Sequence, residues 1–247
     1  LTPGRIGIQV SDTDSVPFDS GMGASRVTRI ATQAAHKAVG NARDQVFELA
    51  QDLYGWDPQY VALSGDNVIN TGTDEVVAWT SLLVEKGEAI VGTGHVKDTD
   101  PSPVTSFTAQ VADVAVDTET GEVKLLKVTT AHDTGYIVNP QGHQGQINGG
   151  LMQGIGYALM EELRVEDGRV TTVSFADFKI PTIADIPELE TVLLSSDSGL
   201  GPYKVKAISE TSISPIAPAI ANAVEDAIGV RIFDLPITAE KVFRLLH

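Results

Sequence analysis

No cysteine occurs in the 247 residues, so the chain can carry no disulfide, no cysteine-ligated iron–sulfur cluster and no thiolate metal site. Any redox centre it serves must be held in another way. Positive charge is also scarce: 17 Lys and Arg stand against 33 Asp and Glu, a formal net charge of −16. Recognition of a phosphate backbone needs clustered cations to displace counterions, which argues against nucleic acid as a partner. The acidic excess reads as a solvated surface that keeps the protein in solution. No apolar run approaches the roughly 20 residues needed to span a bilayer, so a soluble, cytoplasmic protein without a membrane partner is expected. Internal repeats and low-complexity tracts are missing as well. The opening LTPGRIGIQV has neither an initiator methionine nor a signal peptide, and reads as a piece of something longer.

What is present has ordinary globular proportions, 42% hydrophobic and 20% charged, enough apolar chain for one large core or two modest ones. Residues 5–11, RIGIQVS, alternate as a half-buried strand does, and DTDSVPFDSGMGAS then supplies turn formers. From Ser25 to about Leu53 the apolar residues fall near helical spacing, as one long helix or a pair broken at Gly40. DNVIN reads as a short strand and TDEVVAWTSLLVEKG as a helix capped by Thr73 and closed by Gly87. The Pro/Ser-rich DPSPVTSF is a connector, and two alternating runs joined at DTETGE follow it as a hairpin. QGQINGGLMQGIGYALMEEL has helical spacing although it contains Gly149, Gly150, Gly154 and Gly156, each costing roughly 0.5 to 1 kcal/mol relative to Ala in a helix interior. Such glycines are tolerated where another backbone or a ligand must come close. DGRVTTVSF and ELETVLLSS read as strands, and helices are expected from Pro218 to Gly229 and over TAEKVFRLL. The expected fold class is α+β, helices on mixed or antiparallel sheets, with one unit over 1–100 and a second over 101–247.

Three constellations could carry chemistry. SGMGASR, residues 20–26, places small residues between a strand and a helix, where backbone N–H groups at a helix start can hold an anion. HDTGYIVNPQGHQGQINGG gathers His132, His143, Gln144 and Gln146 before the glycine-rich helix. The two histidines lack a third ligand at metal spacing, so satisfied polar loop histidines are the plainer reading. Gln146, beside Gly145 and Gly149, can offer both a donor and an acceptor to the edge of a heterocycle. The third is Glu210, the single acid in GPYKVKAISETSISPIAPAIANAV. Most such carboxylates are solvated surface groups. Its neighbours Ala207, Ile208, Ile213 and Ile216 nonetheless make an apolar setting of the kind that suits a carboxylate to general-base work.

Taken in order, the runs FTAQVADVAVDTETGEVKLLKVTTAHDTGYIVNPQGHQGQINGGLMQGIGYALMEEL, SFADFKIPTIADIPELE, GPYKVKAISE and SPIAPAIANAVEDAIGVRIFDLPITAEKV resemble the C-terminal part of the molybdenum-binding subunit of the xanthine dehydrogenase and aldehyde oxidase family. SDTDSVPFDSGMGASR resembles that subunit's motif after a cofactor-facing strand. The resemblance covers nearly the whole chain. It departs from the family pattern at Lys204, Ala207 and Ser209, where glycines are common, and at Thr211 and Ser212, where two prolines are usual.

The resemblance implies a molybdenum hydroxylase in which molybdenum is bound by molybdopterin, often as a cytosine dinucleotide in bacteria, and oxygen from water is placed on a carbon of an N-heterocycle or aldehyde. It implies Glu210 as the general base. It implies cofactor contacts from Gly23, Ala24, Ser25, Arg26 and Gln146, and from Lys206, Ala207, Ile208 and Ser209 ahead of the glutamate. Iron–sulfur and flavin groups would then lie on partner chains, and an upstream molybdopterin-binding region or subunit would complete the site for a small-molecule substrate. The competing expectation is a non-catalytic interaction or scaffold module, or a cofactor-free fragment of such an enzyme.

Overall fold

The computed structural model describes residues 3–97 and 105–247. Most of the DPSPVTSF connector lies outside them. Two compact units emerge: Leu1–Gly21 with Ile30–Asp100, and Met22–Arg29 with Pro101–His247.

In the first unit, α1 (Val27–Tyr54) supplies all but its first turn and runs through Gly40 without a break. Three short antiparallel strands follow, β1 (Val61–Ser64), β2 (Asn67–Asn70) and β3 (Val76–Ala78), ordered β1-β2-β3, then α2 (Trp79–Lys86). Ala50, Trp56, Val61, Val68 and Leu82 form its small core. The helix expected from Thr73 begins only at Trp79, because the β-branched pair Val76 and Val77 joins β2 opposite Ile69 and Val68. Gly87 closes α2 as expected, with φ +78° and its N–H donating to the Leu83 carbonyl. The strand expected over 5–11 does not form. That segment has no sheet partner among the described residues, and Ile6, Ile8 and Val10 are exposed. Period-two alternation indicates a strand but does not supply the neighbour that would pair with it.

The second unit is built on a mixed sheet ordered β4-β5-β8. Strands β4 (Phe107–Val116) and β5 (Val123–Asp133) are the expected hairpin, with Leu126 bulged out of register so that inward residues stay inward on both sides. The helix α3 (Pro140–Leu159) starts at an Asn139 cap, whose side chain accepts the Gly142 N–H. Beyond it come β6 (Val165–Glu166), β7 (Arg169–Val170) and the single turn α4 (Phe175–Phe178), so DGRVTTVSF yields only two residues of strand. Strand β8 (Glu188–Leu194) then lies parallel to β5, followed by α5 (Ile216–Ile228) and α6 (Ala239–Leu246).

The inward sheet face and the helices share one core. Val128, Ile147, Leu151, Ile155, Ile216, Ile220, Val224 and Val242 are essentially inaccessible in it, each side chain contributing about 1.5 to 3 kcal/mol. The α3 glycines divide by role. A Cβ on Gly154 would lie 1.9 Å from Ile216 Cγ2, and one on Gly150 2.0 Å from Ser212 Oγ, so both let the start of α5 sit against the helix. Gly145 and Gly149 meet nothing within 4 Å and open outward beside exposed Gln146.

Candidate functional site

The chain between β8 and α5 passes through Val205 and Lys206 into a string of turns that carries Glu210. Its backbone carbonyls are clamped from several directions. Ser106 Oγ donates to the Ala207 carbonyl at 2.7 Å, Thr211 Oγ1 to that of Ile208 at 2.8 Å, Gln110 Nε2 to that of Ser212 at 2.9 Å, and the Tyr157 hydroxyl to that of Ile213 at 2.8 Å. Four side chains, one just before β4 and the others from β4, α3 and the turn itself, thereby define where residue 210 lies. Lys206 anchors the approach. Its side chain is 3% exposed, with the ammonium 2.8 Å from Asp133 Oδ2 and over the Phe107 ring, and its backbone N–H donates to the Thr134 carbonyl. The Lys206 ammonium, Ser196 Oγ and the Gly135 N–H hold the Asp133 carboxyl below its ordinary range.

Opposite the turn stands the segment before α1. Ala24 and Ser25 adopt φ of +57° and +52°, a left-handed conformation that costs a non-glycine residue about 1 kcal/mol or more. Ser25 is buried, and its hydroxyl donates to Glu210 Oε2 at 2.6 Å while accepting the Glu210 backbone N–H at 3.0 Å. The two residues are 185 apart in sequence and both belong to the second unit. Together they border a cavity of about 430 Å³ that is also lined by Ala24, Arg29, Lys206 and Ala207.

The cavity therefore gathers Ala24, Ser25, Lys206, Ala207 and Glu210 from the expected site residues. Gly23, Arg26, Ile208, Ser209 and Gln146 are not among its lining residues. Ile208 is buried, Ser209 half-buried and Gln146 exposed on α3. The apolar setting expected around Glu210 is not found: Ile208 and Ile216 turn into the interior, and Glu210 is exposed with a hydroxyl as its partner. Of the departures from the family pattern, Thr211 closes the turn and Ser212 fills the space over Gly150.

The histidines are not loop residues. His132 lies on β5, fully buried, with Thr108 Oγ1 3.1 Å from Nδ1 and Thr130 Oγ1 2.7 Å from Nε2. His143 lies on α3 against Thr134 Oγ1 at 2.6 Å. Burial lowers both, His132 to about 4 with a smaller push from His143, so both are neutral near pH 7. No cluster of three metal-ligating side chains occurs among the described residues. A buried neutral imidazole makes acid stability predictable. The unfolded chain takes up the proton near 6.5 and the folded chain only near 4, so stability should fall by about 3 kcal/mol between those values and level off below. Urea unfolding between pH 7 and 4 should show this slope, and His132→Gln should flatten it.

Asp133, Ser106, Gln110 and Tyr157 escape the sequence reading. Gln110 did leave a signal, as a polar side chain in the inward phase of β4 between Thr108 and Ala112. Ser106 and Tyr157 left none, since their partners are distant carbonyls.

The α+β arrangement is shared with solved molybdenum enzymes. It superimposes on the Cu,Mo-CO dehydrogenase with a TM-score of 0.79 at 24% identity, covering 94% of this chain and 31% of that one. Quinoline 2-oxidoreductase from Pseudomonas putida 86 gives 0.77 at 26% identity, covering 90% and 30%. A family model described as molybdopterin cofactor-binding domain matches residues 1–187. The xanthine dehydrogenase molybdenum-binding subunit of Escherichia coli O157:H7 is 30% identical over 250 residues, 97% of this chain and 33% of that protein. The aldehyde oxidoreductase molybdenum-binding subunit of Escherichia coli (strain K12) is 30% identical over 246 residues, 96% and 32%. The chain belongs to the molybdopterin cofactor-binding domain family and is homologous along its whole length to molybdenum-binding subunits of the xanthine dehydrogenase and aldehyde oxidoreductase family. It spans about a third of the length of these curated relatives. No helix among the described residues is long and apolar enough to cross a membrane.

The donor chemistry is compatible with such a cofactor. The cavity offers hydroxyls, main chain and one carboxylate, and the sequence has no cysteine to supply a thiolate. That set suits a group that brings its own metal ligands and is held by hydrogen bonds.

Proposed function

We propose that this chain is the portion of a molybdenum hydroxylase that carries the general base, Glu210, for placing oxygen from water on a carbon of an N-heterocycle or aldehyde. The observation that carries the reading is the meeting of Glu210 with the left-handed turn at Ala24 and Ser25 across one cavity. Family membership gives that meeting its chemical sense.

Molybdopterin, in its cytosine dinucleotide form in many bacterial enzymes, would supply the metal centre that accepts the electrons. The backbone of residues 23–26, ahead of α1, would face its anionic groups. Gln146 would reach its heterocycle edge from the open side of α3, where Gly145 and Gly149 leave room for close approach. The stretch from Lys206 to Ser209 would contribute main chain, because the Lys206 ammonium is committed to Asp133 and Ile208 to the interior. Glu210, held at Oε2, would take at Oε1 a proton from the water that supplies the oxygen, and would release it when product leaves and the site reopens to solvent. General-base catalysis of this kind is worth about 10²- to 10⁴-fold. An upstream region or subunit would cover the exposed carboxylate and exclude water, and iron–sulfur and flavin chains would carry electrons away.

Metal and nucleotide analysis of the protein purified with its natural partner chains tests this reading. Molybdenum and a pterin nucleotide should co-purify near one per chain, and Gln146→Ala should reduce that occupancy several-fold. A partnered complex without molybdenum would sink the reading, and unchanged occupancy in the variant would remove Gln146 from the cofactor contacts.

A further inference from the structure

We infer that the Ser25 hydroxyl is a positioning group for the Glu210 carboxylate and donates no hydrogen bond to the cofactor. The inference rests on Glu210 being the base. A serine hydroxyl has one proton to donate. Here that proton goes to Glu210 Oε2 at 2.6 Å, and the same oxygen accepts the Glu210 N–H at 3.0 Å. The hydroxyl is thus fixed at both ends by one residue, with no hydrogen left for a phosphate or a pterin.

Two further observations point the same way. Ser25 is 8% exposed at φ +52°, next to Ala24 at +57°. Glycine would be the least costly residue in that conformation, so a serine there is best explained by what its hydroxyl does. Glu210, by contrast, is exposed. Its backbone is fixed by the clamped carbonyls of Ala207, Ile208, Ser212 and Ile213, whereas Ser25 holds its carboxylate. Losing the hydroxyl should release the carboxylate into several rotamers and leave the turn in place.

The test compares Ser25→Ala, Ser25→Gly and Glu210→Gln in the complete enzyme with its partner chains, measuring molybdenum content, kcat and KM. Both serine variants should keep wild-type molybdenum content and KM while kcat falls on the order of 10- to 100-fold, as expected for a lost hydrogen bond to a charged group. The glycine variant removes the hydroxyl and relieves the backbone, so a loss equal to that of the alanine variant assigns the effect to the hydroxyl. A crystal structure of the Ser25→Gly enzyme should show the Glu210 side chain out of its present rotamer. A fall in molybdenum content, full turnover of the glycine variant, or an unmoved Glu210 would each overturn the inference. Wild-type turnover of Glu210→Gln would instead bring down the general-base reading itself, whereas a dead Glu210→Gln beside a fully active Ser25→Gly would bring down this inference alone.

Discussion

Glu210→Gln in the assembled enzyme should lower turnover at saturating substrate by about 10²- to 10⁴-fold, with molybdenum content at the wild-type level. Glutamine keeps the length and shape of the side chain, and its amide oxygen can still accept the Ser25 hydroxyl. The turn does not depend on the carboxylate, because its carbonyls are held by Ser106, Gln110, Tyr157 and Thr211. What disappears is the carboxylate oxygen that would accept the proton. Steady-state rates and metal analysis on the same preparation separate this from loss of cofactor. Hydroxylation at more than about a tenth of the wild-type rate would remove Glu210 from the role.

The second large effect belongs to Lys206→Met, which should destabilise the protein by about 3 kcal/mol, the low end for breaking a buried ion pair. The Lys206 side chain is 3% exposed and that of Asp133 20%, so the stranded carboxylate recovers some water and keeps Ser196 Oγ and the Gly135 N–H as donors. Denaturant midpoints near neutral pH measure the loss. The sign of the pH dependence is set by Asp133: its stabilisation is present above the ordinary value of 3.8 and is lost as pH falls through its lowered folded value. The gap between wild type and variant should therefore narrow in strong acid. Replacing both partners, Lys206→Met with Asp133→Leu, should recover most of the stability, because no charge is then left without its partner. A variant as stable as wild type would mean that the pair contributes nothing net.

Legibility from sequence followed the range of the interaction concerned. The β4–β5 hairpin and helices α1, α3, α5 and α6 were readable because period and cap lie within a few residues. Residues 5–11 and Val76–Ala78 were misread for a common reason: whether an apolar run becomes a strand depends on a neighbour that local pattern does not reveal. At the site, Glu210 stood out through resemblance, and by itself looked like a solvated acid. Its hydroxyl partner lies 185 residues away and could not have been inferred from spacing. The α3 glycines announced close approach but not by what. Gly150 and Gly154 admit Ser212 and Ile216, and only Gly145 and Gly149 open outward.

The second unit is discontinuous in sequence, since the chain leaves it after Arg29 and returns beyond Asp100. This has a kinetic consequence. The Ser25–Glu210 contact joins residues 185 apart, so its closure costs more chain entropy than that of any local contact in the unit and is expected to form after them. A nascent or partly folded chain would pair the β4–β5 hairpin, which is local, before it held a positioned carboxylate. Competence to use the cofactor would therefore arrive late, as a readout of completed folding.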